Sequence, residues 1–217
     1  MKILIMGAPG SGKGTQAEII SEKYNIPTIS SGSILREAIA EGTEIGKIAS
    51  MYINDGLFVP DDVMIKAVME RLEKEDCENG CILDGFPRTL EQVEAMERAD
   101  IDIDFVLKIN LADEEIIKRV SGRRVCEMCG ATFHVIYKPT EQPEKCDVCG
   151  AKLVIRQDDR EEVVKNRLKI YYDQTVPVIN YYEKKGKIVE SESMEEISET
   201  AQNVSEAIAG ALCNGKH

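Results

Sequence analysis

The chain has 217 residues, of which 30% are charged and 5% aromatic, with no Trp, and its formal net charge is −12. The length suits one large α/β domain with inserts, the composition is that of a soluble, helix-rich chain, and the acidic balance argues against a general nucleic-acid binder, which would present a basic surface. No apolar run approaches the ~20 residues of a membrane span, and Met1 leads straight into an apolar run, so neither a targeting segment nor a membrane partner is expected and a reducing, cytoplasmic location is.

Lys2–Met6 predicts a buried strand. Gly7-Ala8-Pro9-Gly10-Ser11-Gly12-Lys13-Gly14-Thr15 follows, and Gln16–Tyr24 predicts a helix. Strand, glycine loop and helix together turn a glycine pattern into a phosphate site of the P-loop kind. Glycines let the backbone bend and present consecutive N–H groups to an anion. The helix start adds unpaired N–H groups and partial positive charge, and Lys13 adds a full charge for the outer phosphates. The residue after Lys13 is Gly14, not Ser or Thr, so the usual magnesium hydroxyl is missing and Thr15 comes one place late. The plain alternative is a glycine-rich turn with no ligand.

Ile26–Ser30 reads as a second strand, and Ser31-Gly32-Ser33 as the cap of a helix over Ile34–Ala40. Gly42-Thr43 breaks it, and a further helix runs from about Glu44 to Asn54. Pro60-Asp61-Asp62 starts the next, with Val63, Met64, Ala67, Val68 and Leu72 at helical spacing. Cys81–Asp84 reads as a buried strand ending in a carboxylate, Gly85–Thr89 as its exit loop and Leu90–Arg98 as a helix. Phe105–Asn110 is another strand, and Asp113 opens a helix through Val120. From Gly122 to about Asp159 cysteines, glycines and β-branched residues predict an inserted β-rich module. A long helix resumes near Glu161 and passes Tyr172, with a kink expected at Pro177. Lys187–Val189 is the last strand and Ile197–Leu212 a closing amphipathic helix. Five strands alternating with helices imply a mainly parallel sheet with right-handed crossovers. Ligands then sit outside the carboxyl ends of the strands, which puts Gly7–Thr15, Ser30–Ser33 and Asp84–Arg88 on one edge.

Seven of the ten arginines are Arg88, Arg119, Arg123, Arg124, Arg156, Arg160 and Arg167. An acidic protein with a phosphate loop must gather its cations locally, and Arg binds phosphate in a fixed fork. Four of the seven cysteines form two CxxC pairs, Cys126/Cys129 and Cys146/Cys149, each followed by a glycine, Gly130 and Gly150. Four thiolates at this spacing can close a tetrahedral structural zinc site, and they leave no open position for catalysis. His134, between the pairs, is read as a packing or polar contact. Cys77, Cys81 and Cys213 have no assigned role.

The glycine loop together with Asp84-Gly85-Phe86-Pro87-Arg88-Thr89, with Gly122-Arg123-Arg124 leading into a cysteine-bearing insert, and with Asp158-Asp159 and Arg167, resembles the adenylate kinases with a long zinc-bearing lid. The resemblance spans essentially the whole chain. It implies reversible transfer of the terminal phosphate of ATP to AMP, giving two ADP, with Mg²⁺ and a structural Zn²⁺. It implies an α/β P-loop fold of three layers with a five-stranded parallel sheet: a core of residues 1–29, 60–121 and 160–217, a helical NMP-binding insert of 30–59, and a β-rich zinc lid of 122–159. Both inserts would act as moving covers that exclude water, a device carried over with the family.

The resemblance also assigns residues. Gly10, Ser11, Gly12, Lys13, Gly14 and Thr15 would cradle the ATP phosphates. Lys13, Arg88, Arg123, Arg156 and Arg167 would surround the transferring group, with Asp158 and Asp159 positioning arginines and Asp84 holding magnesium through water. ATP would also meet Arg119, Arg123, Thr132, Phe133 and backbone near Glu195. AMP would meet Ser31, Arg36, Leu57, Phe58, Val59, Gly85, Phe86, Pro87, Arg88 and Gln92, with Arg156 and Arg167. Ser31 stands where the family usually has Thr and Ser33 where it has Asp, and Ser191-Glu192-Ser193 lacks a glycine often found there. A monomer without nucleic-acid partners is expected. A UMP/CMP-type kinase on the same scaffold, a zinc-ribbon nucleic-acid-binding ATPase and a non-catalytic nucleotide sensor are the alternatives. Gln92 and the long lid weigh against the first, and the acidic charge and arginine placement against the second.

Overall fold

A computed structural model describes residues 1–53 and 55–214. Along the chain, β1 (Lys2–Met6) leads into α1 (Lys13–Tyr24), and β2 (Thr28–Ser30) into α2 (Ser31–Glu41) and α3 (Glu44–Ile53). Then come α4 (Asp61–Leu72), β3 (Cys81–Asp84), α5 (Leu90–Arg98), β4 (Phe105–Asn110) and α6 (Asp113–Gly122). The inserted module carries β5 (Arg123–Cys126), β6 (Thr132–His134) and β7 (Leu153–Val154). After it follow α7 (Glu161–Ile170), a π-helical turn over Tyr171–Thr175, α8 (Val176–Lys184), β8 (Ile188–Glu192) and α9 (Ile197–Asn214).

Five parallel strands form one sheet in the order β2-β3-β1-β4-β8, with Ile3 opposite both Ile82 and Phe105. β1, β3 and the start of β4 read as apolar runs because helices cover both faces. Alternate residues go opposite ways. Leu4, Met6, Leu83 and Val106 pack with Met64, Val68, Val93, Met96 and Val178 of α4, α5 and α8. Ile3, Ile5, Ile82, Leu107 and Ile109 pack with Ala17, Ile20, Val204 and Ile208 of α1 and α9. Each such side chain larger than Ala contributes on the order of 1.5–3 kcal/mol on burial. The expected three-layer α/β fold is therefore present, and the carboxyl ends of β1, β2 and β3 gather the phosphate loop, the start of α2 and the Gly85–Thr89 loop at one edge.

Several boundaries differ from the sequence reading. β2 starts at Thr28, two residues late, because Pro27 has no N–H to give the ladder; its carbonyl still accepts from Ile82. Ser31, Gly32 and Ser33 are not caps: they form the first turn of α2, and Ser30 is its N-cap without a side-chain bond. The Ser31 hydroxyl instead donates to the Gly85 carbonyl at 2.7 Å, linking α2 to the loop after β3. The predicted end of α3 at Asn54 lies outside the described residues. The kink expected at Pro177 is a full π-helical turn ahead of it, with Pro177 in the first turn of α8. Proline has no N–H for the preceding turn and its ring crowds that turn's carbonyl, so a wider turn relieves both. β8 runs on to Glu192, where Asn110 Nδ2 donates to Glu192 Oε1 at 2.9 Å. The inserted module is a three-stranded antiparallel sheet, β6-β5-β7, over a small core of Cys126, Phe133, Cys146 and Leu153.

Candidate active site

The phosphate loop joins β1 to α1. Gly10 and Gly12 take φ of 81° and 85°, left-handed values that a side chain resists, and α1 begins at Lys13 directly behind them. The helix N-terminus and its free N–H groups therefore face the edge where β1 ends. Lys13 Nζ donates to the Ala8 carbonyl at 3.3 Å, folding the lysine back over the loop. Ser11 is fully buried, and its hydroxyl lies beneath the loop without a partner instead of on a cavity wall. A side-chain carbon placed on Gly14 would stand 3.8 Å from Asp84 Oδ2. The carboxylate ending β3 thus faces the start of α1 where the motif lacks its hydroxyl. Its other oxygen, Oδ1, is buried without a hydrogen-bond partner. An acceptor-only oxygen beside a phosphate loop fits a hydrated magnesium ion.

Two cavities open on this edge. One, of about 440 Å³, is lined by Gly10, Gly12, Lys13, Gly14, Thr15, Asp84, Arg119, Arg123, Thr132, Phe133, Arg156 and Glu195, so it gathers nearly all the residues expected to hold ATP. The other is narrower and is lined by Ser31, Arg36, Leu57, Phe58, Val59, Gly85, Phe86, Pro87, Arg88 and Gln92. They meet at Lys13, Arg36, Arg88 and Arg167, which line both. Arg156, expected beside AMP, lines only the larger cavity.

These cations press on one another. Burial pushes the Lys13 ammonium down to about 8; Asp84 opposes the shift, while Arg88, Arg167 and Arg123 add to it. Burial and Arg167 lower Arg88 to about 10, and burial with Arg36 and Arg123 lowers Arg156 to about 10. Arg36 and Arg167 are shifted the same way, chiefly by burial. Arg123 differs: burial lowers it, but two hydrogen bonds and the charge of Asp159 outweigh burial and raise it. Arg167 is steadied by Asp158 Oδ2 at 2.9 Å. Such a crowd of partly desolvated cations is a strong receptor for a polyanion.

In the narrower cavity the Arg88 guanidinium lies 5.1 Å over the Phe58 ring, and its Nε donates to the Gly85 carbonyl at 2.7 Å. In the larger one Arg119 donates to Ser193 Oγ and the Met194 carbonyl, both at 2.7 Å. Its guanidinium lies 5.3 Å from the Tyr137 ring. Tyr137, Lys138 and Ser193 line this cavity and were not expected there. Their only sequence signal is their closeness to Thr132-Phe133 and to the end of β8. His134 is a polar contact, as expected, and not a thiol's companion: its Nε2 lies 3.0 Å from the Arg119 carbonyl.

At the tip of the module the four thiols converge. Cys126 and Cys149 Sγ are 3.4 Å apart, Cys129 and Cys146 Sγ 3.5 Å, and all four lie within 4.8 Å of one another. A tetrahedral ion with metal–sulfur bonds of ~2.3 Å needs sulfurs about 3.8 Å apart, so the donor set fits. Gly130 and Gly150 at φ of 73° and 76° close the two knuckles, and their N–H groups donate to the Cys126 and Cys146 carbonyls. The backbone N–H groups of Cys129 and Met128 lower the Cys126 thiol, while the neighbouring thiols raise Cys129 and Cys149, so the four share their protons as a cluster.

A family profile described as adenylate kinase matches residues 5–187. The chain is similar to the adenylate kinase of Caldicellulosiruptor bescii, with 50% identity over 212 residues, 96% of this chain and 99% of that protein. It is 46% identical to that of Acetivibrio thermocellus over 97% of this chain and 99% of that protein. With the archaeal enzyme of Archaeoglobus fulgidus it shares 48% identity over 91% and 93%. A phosphate loop, two cavities sharing four cations and near-full-length likeness to these enzymes agree: the chain belongs to the adenylate kinase family, nucleoside monophosphate kinases whose general reaction passes a phosphoryl group between ATP and AMP.

Proposed function

We propose that the larger cavity holds ATP and the narrower one AMP, and that the terminal phosphoryl group passes between them where the cavities meet. The observation that carries this reading is the shared wall of Lys13, Arg36, Arg88 and Arg167. An oxygen of the AMP phosphate attacks the terminal phosphorus of ATP, its bond to the bridging oxygen breaks, and two ADP result. The nucleophile is already an anion, so no general base is needed. Alignment and charge stabilisation supply most of the acceleration. Lys13 and the backbone of Gly10–Thr15 steady the donor phosphates. Arg36 and Arg88 grip the acceptor phosphate, and Arg123, Arg156 and Arg167 follow the charge as it spreads over the moving group. Asp158 and Asp159 set the arginines. Asp84 would hold, through water, the magnesium bound with ATP, which would supply positive charge against the phosphates. Ser33, in place of the family's Asp, would offer no carboxylate to the waters around that ion.

Residues 1–29, 60–121 and 160–217 form the body in this reading, with 30–59 covering AMP and 122–159 covering ATP. Arg119 stacks on the donor base, Thr132 and Phe133 reach it from the lid, and backbone near Glu195 completes the contact. Cys126, Cys129, Cys146 and Cys149 hold one structural zinc that stiffens the lid. The protein works as a cytoplasmic monomer without nucleic acid. No helix among the described residues is long and apolar enough to cross a membrane.

A panel of nucleoside monophosphates with Mg-ATP tests the assignment. AMP is expected to give the highest turnover and Arg88→Ala to lose at least about a hundredfold, as removal of a group that stabilises transferring charge does. A UMP or CMP rate above that for AMP, or near-normal turnover in Arg88→Ala, refutes it. Nucleotide binding without ADP formation would leave a sensor, and salt-dependent DNA or RNA binding would revive a nucleic-acid role.

A further inference from the structure

Gln92 is buried, yet it lines the narrower cavity. Its amide is held from two sides. The Arg88 backbone N–H donates to Oε1 at 2.7 Å, and Nε2 donates to Asp61 Oδ1 at 2.6 Å. The other Asp61 oxygen accepts from the Thr89 hydroxyl at 2.8 Å, and Thr89 Oγ1 accepts from the Gln92 backbone N–H at 3.2 Å, capping α5. A backbone N–H can only donate and a carboxylate can only accept. These partners therefore permit one orientation of the amide. A half-turn about its bond would set N–H against N–H and oxygen against carboxylate. One Nε2 hydrogen and one Oε1 lone pair remain for another partner.

We propose that Asp61 is a specificity-determining positioning residue, which locks the Gln92 amide so that the acceptor site takes purines with an exocyclic amino donor beside a ring-nitrogen acceptor and refuses purines of opposite polarity. The inference rests on Gln92 facing the base of the monophosphate. An amide has nearly the same shape either way round and opposite polarity at its two ends. Free to turn, it would serve adenine (amino donor, ring acceptor) and hypoxanthine (carbonyl acceptor, ring N–H donor) about equally. The Arg88 N–H opposes the turn at Oε1, and Asp61, which does not line the cavity itself, opposes it at Nε2 with a full charge. The wrong base then leaves buried polar groups unpaired, which a hydrogen-bonding site penalises far more than a missing methylene. A merely structural role for Asp61, tying the starts of α4 and α5, would weaken both purines alike.

The test compares kcat/KM for AMP and IMP with Mg-ATP in the whole protein, in Asp61→Leu, Asp61→Ala and Gln92→Ala. IMP differs from AMP at the edge in question and not in size. The AMP-to-IMP ratio is expected to fall about tenfold or more in both Asp61 variants, while KM for ATP moves less than about twofold. Asp61→Leu keeps the volume and offers Gln92 no acceptor in any rotamer, so it carries the measurement should the alanine variant lose its fold. An unchanged ratio in the Asp61 variants with a lowered ratio in Gln92→Ala overturns the lock and leaves Gln92 facing the base. An unchanged ratio in all three overturns both.

Discussion

Asp159 ties the exit of the inserted module to its entry: its buried carboxylate accepts from Arg123 Nε at 2.7 Å and from Arg123 Nη2, and it lies 3.5 Å from Arg167 Nη1. The Asp159 side chain has no exposed surface, and Arg123 keeps 19% of its own. The pair closes the module's base and aims Arg123 at the larger cavity. Asp159→Asn keeps the shape and removes the charge. A fully buried pair that loses one partner costs about 3–5 kcal/mol; with Arg123 partly solvated, about 1–3 kcal/mol is expected from urea unfolding. Turnover is expected to fall roughly ten- to a hundredfold as Arg123 loses its aim. Wild-type values for both would contradict this role.

Lys13 is expected to make the reaction sensitive to alkaline pH. Its ordinary value of 10.5 is lowered to about 8, so the folded protein carries less charge there than the unfolded chain between those two values. The sign follows. Stability from this group is least below about 8 and rises as pH increases toward 10.5. Function is expected to run the other way, since in the proposed site the ammonium pairs with phosphate. kcat/KM for ATP reports the free enzyme, so it is expected to be level on the acid side and to fall as pH rises past about 8. In Lys13→Arg that limb moves to higher pH, because a guanidinium keeps its proton. A limb that stays in place in the variant would remove Lys13 as its source.

Stripping metal from the four-thiolate site is expected to lower the melting temperature by roughly 5–10 °C, because the module has little core of its own. A thiol reagent should then find Cys126, Cys129, Cys146 and Cys149 newly reactive. Cys81 should stay silent: it is fully buried, and burial raises its thiol to about 11. Turnover well below the new melting point should change by less than about threefold, since the ligands leave no open metal position. Protein purified without chelator should carry about one zinc. Zinc-free protein with an unshifted melting curve would refute the site.

His134 ties β6 to the end of α6. Its Nδ1 accepts from the backbone N–H groups of Ile136 at 3.0 Å and Tyr137 at 3.1 Å, so its proton sits on Nε2 and is donated to the Arg119 carbonyl. Burial lowers its pKa below the ordinary 6.5. Its stability contribution is therefore complete above that value and is lost as pH falls through the folded value. His134→Phe is expected to raise KM for ATP about five- to tenfold by letting Tyr137 and Arg119 drift, with KM for AMP within about twofold. Equal shifts for both nucleotides would show a general loss of structure instead.

Much of this was legible along the chain. β1, β3 and β4 announced themselves as buried parallel strands because each is an apolar run with side chains packed on both faces. The paired cysteines announced a four-thiol cluster because each knuckle is closed by its own backbone. β8 was read short, since Glu190-Ser191-Glu192 has no strand pattern. Its ladder comes from the backbone of β4, which is indifferent to those side chains. The Ser31 hydroxyl was read as a cap because serines before helices commonly are, yet the Gly85 carbonyl lay closer to its need.

By itself, then, the sequence determined what nearby residues decide among themselves: the glycine loop feeding a helix, the alternation of strands and helices, and two thiol knuckles. Those rest on backbone conformation and hydrogen bonds spanning a few residues. The tertiary structure alone decided that Lys13, Arg36, Arg88 and Arg167 share one wall. It alone set Asp159 on Arg123 across 36 residues and Asp61 on Gln92 across 31. Such pairings depend on how the layers pack around the sheet, and a charged residue's neighbours in sequence carry no record of that.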